Sequence, residues 1–171
     1  MELGKVGVVV VGYPGVGKST LAEKYLQFVD LESNSFKLAD EHVDDWEVIY
    51  CQAAEHIATE GRIVFISSHK MVRDYLLSLP QYNDVKIMAV VPSQELKFEW
   101  IEKLKERFED SELSKDWYAY TRARDHYFYD VNCIKEEFEA REYPVLEITS
   151  MEYDLKGLLD QFILEKFGLS F

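Results

Sequence analysis

The chain has 171 residues, 47% of them hydrophobic, and a formal charge of −13 at pH 7. That length and apolar content suit one domain with a sizeable core and exclude a chain that is disordered through most of its length. The acidity argues against a protein that tracks a nucleic-acid backbone, which needs a broad basic face. It leaves room for a small phosphate-bearing ligand, which needs only a local cluster of cations.

Val6-Gly7-Val8-Val9-Val10-Val11 is an apolar, β-branched run and predicts a buried strand over 5–11. It leads into Gly12-Tyr13-Pro14-Gly15-Val16-Gly17-Lys18-Ser19-Thr20, which matches G-x-x-x-x-G-K-[ST], and a helix is expected over 18–26. Strand, glycine loop and helix start form the context that a phosphate-binding loop requires. The glycines let backbone N–H groups curl around phosphate oxygens, and the helix start adds its unpaired N–H groups and the positive end of its dipole. Every residue from Gly12 to Thr20 is therefore a candidate for nucleotide binding. Lys18 would reach the β- and γ-phosphates of ATP, and the Ser19 hydroxyl would ligate Mg²⁺.

Residues 27–33 predict a second strand ending in acids, and 34–43 lack a clear period and predict a loop. Asp44 or Asp45 can cap a helix over 45–60, with Trp46, Ile49, Tyr50, Ala53 and Ile57 at helical spacing and Gly61 as its stop. Residues 62–68 predict a third strand, 69–79 a helix ending at Pro80, and 85–91 a fourth strand closed by Pro92 and Ser93. An amphipathic helix is expected over 94–109, a polar break over 110–116, and a long helix over 117–141 with a kink near Asn132. A fifth strand over 143–149 and a helix carrying Leu155, Leu158, Leu159, Phe162, Ile163 and Phe167 complete the pattern. No internal repeat or linker interrupts it, so one domain is expected. Cys51 and Cys133 lack CxxC spacing and suit a reducing compartment. Without a signal-peptide pattern or an apolar run of transmembrane length, the expectation is a cytoplasmic protein.

Alternating strands and helices imply a mostly parallel sheet covered on both faces. Right-handed crossovers then gather the loops that follow the strands at one sheet edge, where ligands bind. Several candidates meet there. Asp30 and Glu32, two apart at a strand end, share a face; they could help hold Mg²⁺ or take a proton from an acceptor hydroxyl, or simply solubilise a loop. Ser67 and His69 could contact a phosphate or the acceptor, and Ser68 could cap the next helix. Arg107, Arg122 and Arg124 are candidate lid arginines. Arg107 also suits a solvated helix face. Arg124 falls in the stripe Trp117, Tyr120, Arg124, Tyr127 or Phe128, Val131, Ile134, Phe138, which predicts a buried guanidinium in need of an anionic partner, either an acid of the chain or a phosphate. His42, His56 and His126 show no ligand spacing.

The loop at 12–20, the acid-ended second strand and the helical excursion before the last strand resemble small P-loop kinases, among them nucleoside-monophosphate kinases and the shikimate-kinase-like group. Residues 30–36 and 66–69 are also similar to phage and bacterial P-loop nucleotide kinases or ATPases. The resemblance implies a five-stranded, mostly parallel α/β P-loop NTPase fold of order 2-3-1-4-5, with helices on both faces and a helical lid at 107–126. Residues 34–60 would line the acceptor site. It implies an ATP- and Mg²⁺-dependent phosphotransferase acting on a small acceptor such as a nucleoside monophosphate, with nucleic acid and membrane not expected as partners. Lys18, Asp30 and Arg124 would be catalytic, Ser19 and Asp30 would serve the metal, and Glu32, Ser67, His69, Arg107 and Arg122 would bind acceptor. One departure stands out: many P-loop proteins end the third strand with an Asp that holds Mg²⁺ through water, whereas this strand ends Ser67-Ser68-His69. Asp30 is the candidate replacement. The alternatives are a polynucleotide 5′-hydroxyl kinase, which the acidity disfavours, and a nucleotide-binding or ATPase module without kinase activity, which the departure favours.

Overall fold

The computed structural model describes residues 5–37, 45–80 and 84–171. Strand β1 (Gly7–Gly12) is buried along its whole length, as a continuous β-branched run must be when both faces of a parallel sheet are covered. It pairs in parallel with β3 (Ile63–Ser67) on one side and β4 (Val85–Pro92) on the other. Strand β2 (Phe28–Asp30) joins β3 and β5 (Val145–Ile148) joins β4, both parallel, giving the order β2-β3-β1-β4-β5. Helices flank both faces. This is the P-loop NTPase-like α/β fold expected from the sequence.

The helices are α1 (Lys18–Lys24), α2 (Asn34–Lys37), α3 (Trp46–Ala58), α4 (Lys70–Ser78), α5 (Lys97–Ser111), α6 (Ser114–Ala140) and α7 (Leu155–Phe167), with a short 3₁₀ turn at Gln94–Leu96 before α5. Helix α6 forms the lid. The core joins Val8–Val11, Phe65, Tyr50, Met88, Trp100, Leu104 and Phe138. Gly7 lies where the end of α3 crosses the sheet: a Cβ there would stand 1.9 Å from the Ala58 carbonyl oxygen. No described helix is long and apolar enough to cross a membrane.

Four local expectations need correction. Strand β2 stops at Asp30, because it is an edge strand with one partner. The chain bends away after Leu31 N–H bonds to the Phe65 carbonyl, and Glu32 lies outside the strand. The single turn of α2 forms where a loop was expected; one turn is too short to show a hydrophobic period. The polar break shrinks to Glu112 and Leu113, with Glu112 in the left-handed region (φ 56°) as the cap of α5. The break in α6 falls at His126 (φ −137°, ψ 21°) and not near Asn132. Asp44, one of the two expected caps, and His42 lie outside the described residues; the other, Asp45, takes the position before α3 and makes no side-chain cap bond.

The burial of Arg124 is corrected as well. The stripe that contained it assumes one unbroken period, but the break at His126 resets the phase. Ala123 is the buried residue on this side, and the Arg124 side chain is 49% exposed and paired with Asp125 at 2.9 Å. Trp117 leaves the stripe for the same reason and is exposed. Tyr127, Val131, Ile134 and Phe138 are buried.

Candidate functional site

Strand β1 leaves the sheet at Gly12, which registers with Ser67 on β3 and Val90 on β4. The chain turns through 13–17 into α1. Gly15 (φ 92°) and Gly17 (φ 110°) occupy the left-handed region that side chains avoid. Tyr13 and Val16 point into the core and anchor the loop. From outside, Trp100 Nε1 donates to the Pro14 carbonyl (2.8 Å) and the Tyr153 hydroxyl donates to the Val16 carbonyl (2.8 Å). In a planar trans peptide the N–H points away from the C=O. Drawing those two carbonyls outward therefore turns the Gly15 and Gly17 N–H groups the other way.

Lys18 begins α1 and folds back, its Nζ donating to the Gly12 carbonyl at 3.0 Å. Burial pushes its pKa down to about 8, and of the charges around it that of Asp30 opposes the shift most. Burial likewise raises the Asp30 carboxyl, against the pull of Lys18. Ser19 and Thr20 are exposed beside them.

These groups line an open cleft of about 1190 Å³. Eight of its lining residues are Lys or Arg and five are Asp or Glu, so a strongly acidic chain collects its cations here. At the β3 tip, the Ser67 N–H donates to the Tyr50 hydroxyl (2.9 Å), which itself donates to the Leu31 carbonyl. That links the ends of β2 and β3. Ser67 Oγ and His69 Nδ1 share a hydrogen bond of 2.8 Å, and Trp46 meets the imidazole edge-on at 6.3 Å. The imidazole is reached by solvent from the cleft, yet the cleft walls surround it. That burial, with Lys37, Lys18 and Arg73 nearby, pushes its pKa down to about 4 and keeps it neutral at pH 7. His69, not Ser68, takes the position before α4, and it makes no side-chain cap bond.

Arg73 of α4 is 5% exposed and pairs with Glu137 of α6 at 2.9 Å. Its Nε has no hydrogen-bond partner among the described residues. Across the cleft, Arg107 pairs with the buried Asp116 (2.9 Å), which also accepts from Ser111 Oγ. Lys115 reaches Glu32 (3.5 Å), and Arg122 grips Asp130 with two bonds of 2.7 Å.

The cleft thus brings together Lys18, Ser19, Thr20, Asp30, Glu32, Ser67, His69, Arg107 and Arg122, with Tyr13, Pro14, Gly15 and Gly17 of the loop; Arg124 is not among its lining residues. Gly12 and Val16 shape the loop from behind. Sequence reasoning missed Lys37, Lys103, Lys115 and Arg73. The first three are unremarkable lysines in polar stretches. Arg73 carries a faint signal, because it sits one residue after Val72 in the short helix and three before Leu76.

Among the described residues no group of three or more His, Cys, Asp or Glu is placed to hold a metal ion. A Mg²⁺ in a loop of this kind needs no such group, since one hydroxyl, phosphate oxygens and waters fill its shell. Ser19, with Asp30 lining the same cleft, fits that donor set. The topology is consistent with a nucleotide-binding P-loop enzyme scaffold in general. No protein-family model and no curated protein sequence matches the chain.

Proposed function

We propose that the chain is a phosphotransferase that moves the γ-phosphoryl group of ATP to a small acceptor, most naturally a nucleoside monophosphate. The observation that carries this reading is the cleft itself: Lys18 and Ser19 share it with Arg107 of α5, with Lys115 and Arg122 of the lid, and with two further cations, Lys37 and Arg73. A cleft that gathers eight Lys and Arg side chains suits the charge of two phosphate-bearing ligands.

In this reading the loop N–H groups and Lys18 hold the donor phosphates, and Lys18 leaves the Gly12 carbonyl to do so. The acceptor oxygen attacks the γ-phosphorus while the bond to the β–γ bridging oxygen breaks, and charge spreads over the transferred oxygens. The cleft cations neutralise that charge. Mg²⁺, when bound at Ser19, supplies further neutralisation of the phosphates. Asp30 orients water on that side of the site. A phosphate acceptor brings an oxygen that is already largely ionised, so Asp30 need not act as a base. Arg73 and the neutral His69 receive the acceptor.

The formal charge of −13 counts against the polynucleotide alternative. The module alternative keeps one specific observation, since β3 ends in Ser67 where an acid is common. The deciding experiment is ADP release from ATP and Mg²⁺ across a panel of nucleoside and deoxynucleoside monophosphates, nucleosides and small metabolites. Release that depends on one acceptor class is expected. Equal release with every acceptor and with none would instead mark an ATPase module.

A further inference from the structure

The two halves of α6 are held differently. Just after His126, the Tyr127 hydroxyl donates to the Ser93 carbonyl at 2.7 Å, and Gln94 Nε2 donates to the Phe128 carbonyl (3.1 Å) and Asn132 Oδ1 (2.8 Å). These bonds fasten the second half to the tip of β4. Apart from the Arg122–Asp130 pair, the first half, 114–125, makes its ionic contacts to other elements with Arg107 of α5 and with Glu32, and leaves Trp117 and Tyr118 exposed. Between them lies the non-helical backbone of His126. The Tyr13 ring of the glycine loop meets Tyr127 edge-on at 5.7 Å, so the break stands beside that loop.

Arg122 and Asp130 clasp each other across this break. In a straight α-helix, residues eight apart are separated by about 12 Å along the axis, too far for a guanidinium to meet a carboxylate with both forks. The pair spans the broken turn and joins the two halves. A carboxylate and a phosphate offer an arginine the same two-oxygen face.

We propose that Asp130 is a positioning residue for Arg122: its carboxylate occupies the guanidinium in the empty cleft, and an incoming polyphosphate takes Arg122 from it as the 114–125 arm swings at His126. The proposal rests on the phosphotransferase reading, because it needs a phosphate in the cleft. Asp130 is then an internal competitor that lowers nucleotide affinity and holds the arm in place between turnovers.

The test compares wild type, Asp130→Asn, Arg122→Ala and the double variant. Amide hydrogen exchange without nucleotide comes first. Asp130→Asn and Arg122→Ala should each speed exchange in 114–125 and leave 127–140 unchanged. Unchanged exchange in 114–125 in both would overturn the clasp, and whichever variant folds supplies the answer. Calorimetry with Mg-ATP follows. Asp130→Asn should tighten binding by about 3-fold, the scale of a partly exposed ion pair, and Arg122→Ala should weaken it. In the Arg122→Ala background the Asp130 substitution should have no effect; an equal gain there would mean that Asp130 acts without Arg122 and would overturn the proposal. If wild type binds no Mg-ATP, the phosphotransferase reading falls and so does the exchange of partners, while the exchange data still decide whether the clasp holds the arm.

Discussion

The Tyr153 hydroxyl, in the loop before α7, donates to the carbonyl of Val16 at 2.8 Å. One bond thus ties the segment between β5 and α7 to the glycine loop near the start of the chain. Lys103 steadies the phenol, donating to its oxygen at 3.0 Å while lying against the Trp100 ring. Tyr153→Phe removes the bond and keeps the ring. A neutral hydrogen bond contributes about 1 kcal/mol, so Mg-ATP affinity should weaken by about 5-fold with little change in secondary structure. Calorimetry and circular dichroism on the same samples check both parts.

Lys18 supplies a proton signature. Its pKa lies near 8 in the empty cleft and should rise once phosphates surround the ammonium. Binding at pH 8 should therefore take up about half a proton per nucleotide, and less at pH 6.5, where Lys18 is already charged. Calorimetry in buffers of different ionisation enthalpy reads this directly, and Lys18→Ala should abolish the uptake. The stability effect has a definite sign. A lysine depressed in the folded state opposes folding while it is charged. That penalty is fully present below about pH 8 and relaxes as pH rises from there towards the ordinary lysine value.

Asp30 is coupled to the same group. Asp30→Asn keeps the shape and removes the charge that most favours protonated Lys18. The pH of half-maximal proton uptake should move down, and turnover should fall by about 100-fold. A normal turnover with the shifted midpoint would leave Asp30 as an electrostatic neighbour only.

Arg73 and Glu137 test the far side of the cleft. Arg73→Met leaves Glu137 half-buried without its cation and should cost about 3 kcal/mol in urea unfolding. Arg73→Met with Glu137→Leu should recover much of that loss, since apolar partners replace the pair. The double variant should still show a raised KM for the acceptor with an unchanged KM for ATP. Equal rises in both would remove Arg73 from the acceptor side.

The parts of this molecule that were legible in the sequence are those set by local patterns. Val8–Val11 needed no partner to be read as a buried strand, and Gly15, Gly17 and Lys18 occupy fixed offsets in one loop. The parallel sheet followed from the alternating elements, and the strand order from the kinase resemblance. Arg124 misled because a stripe is legible only while the helix keeps phase, and His126 breaks it for reasons lying elsewhere, in the bonds from Ser93 and Gln94 to Tyr127, Phe128 and Asn132. Glu32 with Lys115 and Arg73 with Glu137 were invisible because each pair joins elements far apart in the chain. Nothing in residues 110–116 announces that helix resumes at Ser114 and carries Lys115 into the cleft.

The most direct measurement follows the γ-phosphoryl group itself. Wild type and Lys18→Ala are incubated with Mg²⁺, γ-labelled ATP and each nucleoside monophosphate in turn, and the labelled products are separated. The account predicts label in a nucleoside diphosphate for at least one acceptor with wild type, and none with a folded Lys18→Ala. Label released only as inorganic phosphate, at one rate with or without any acceptor, would contradict it.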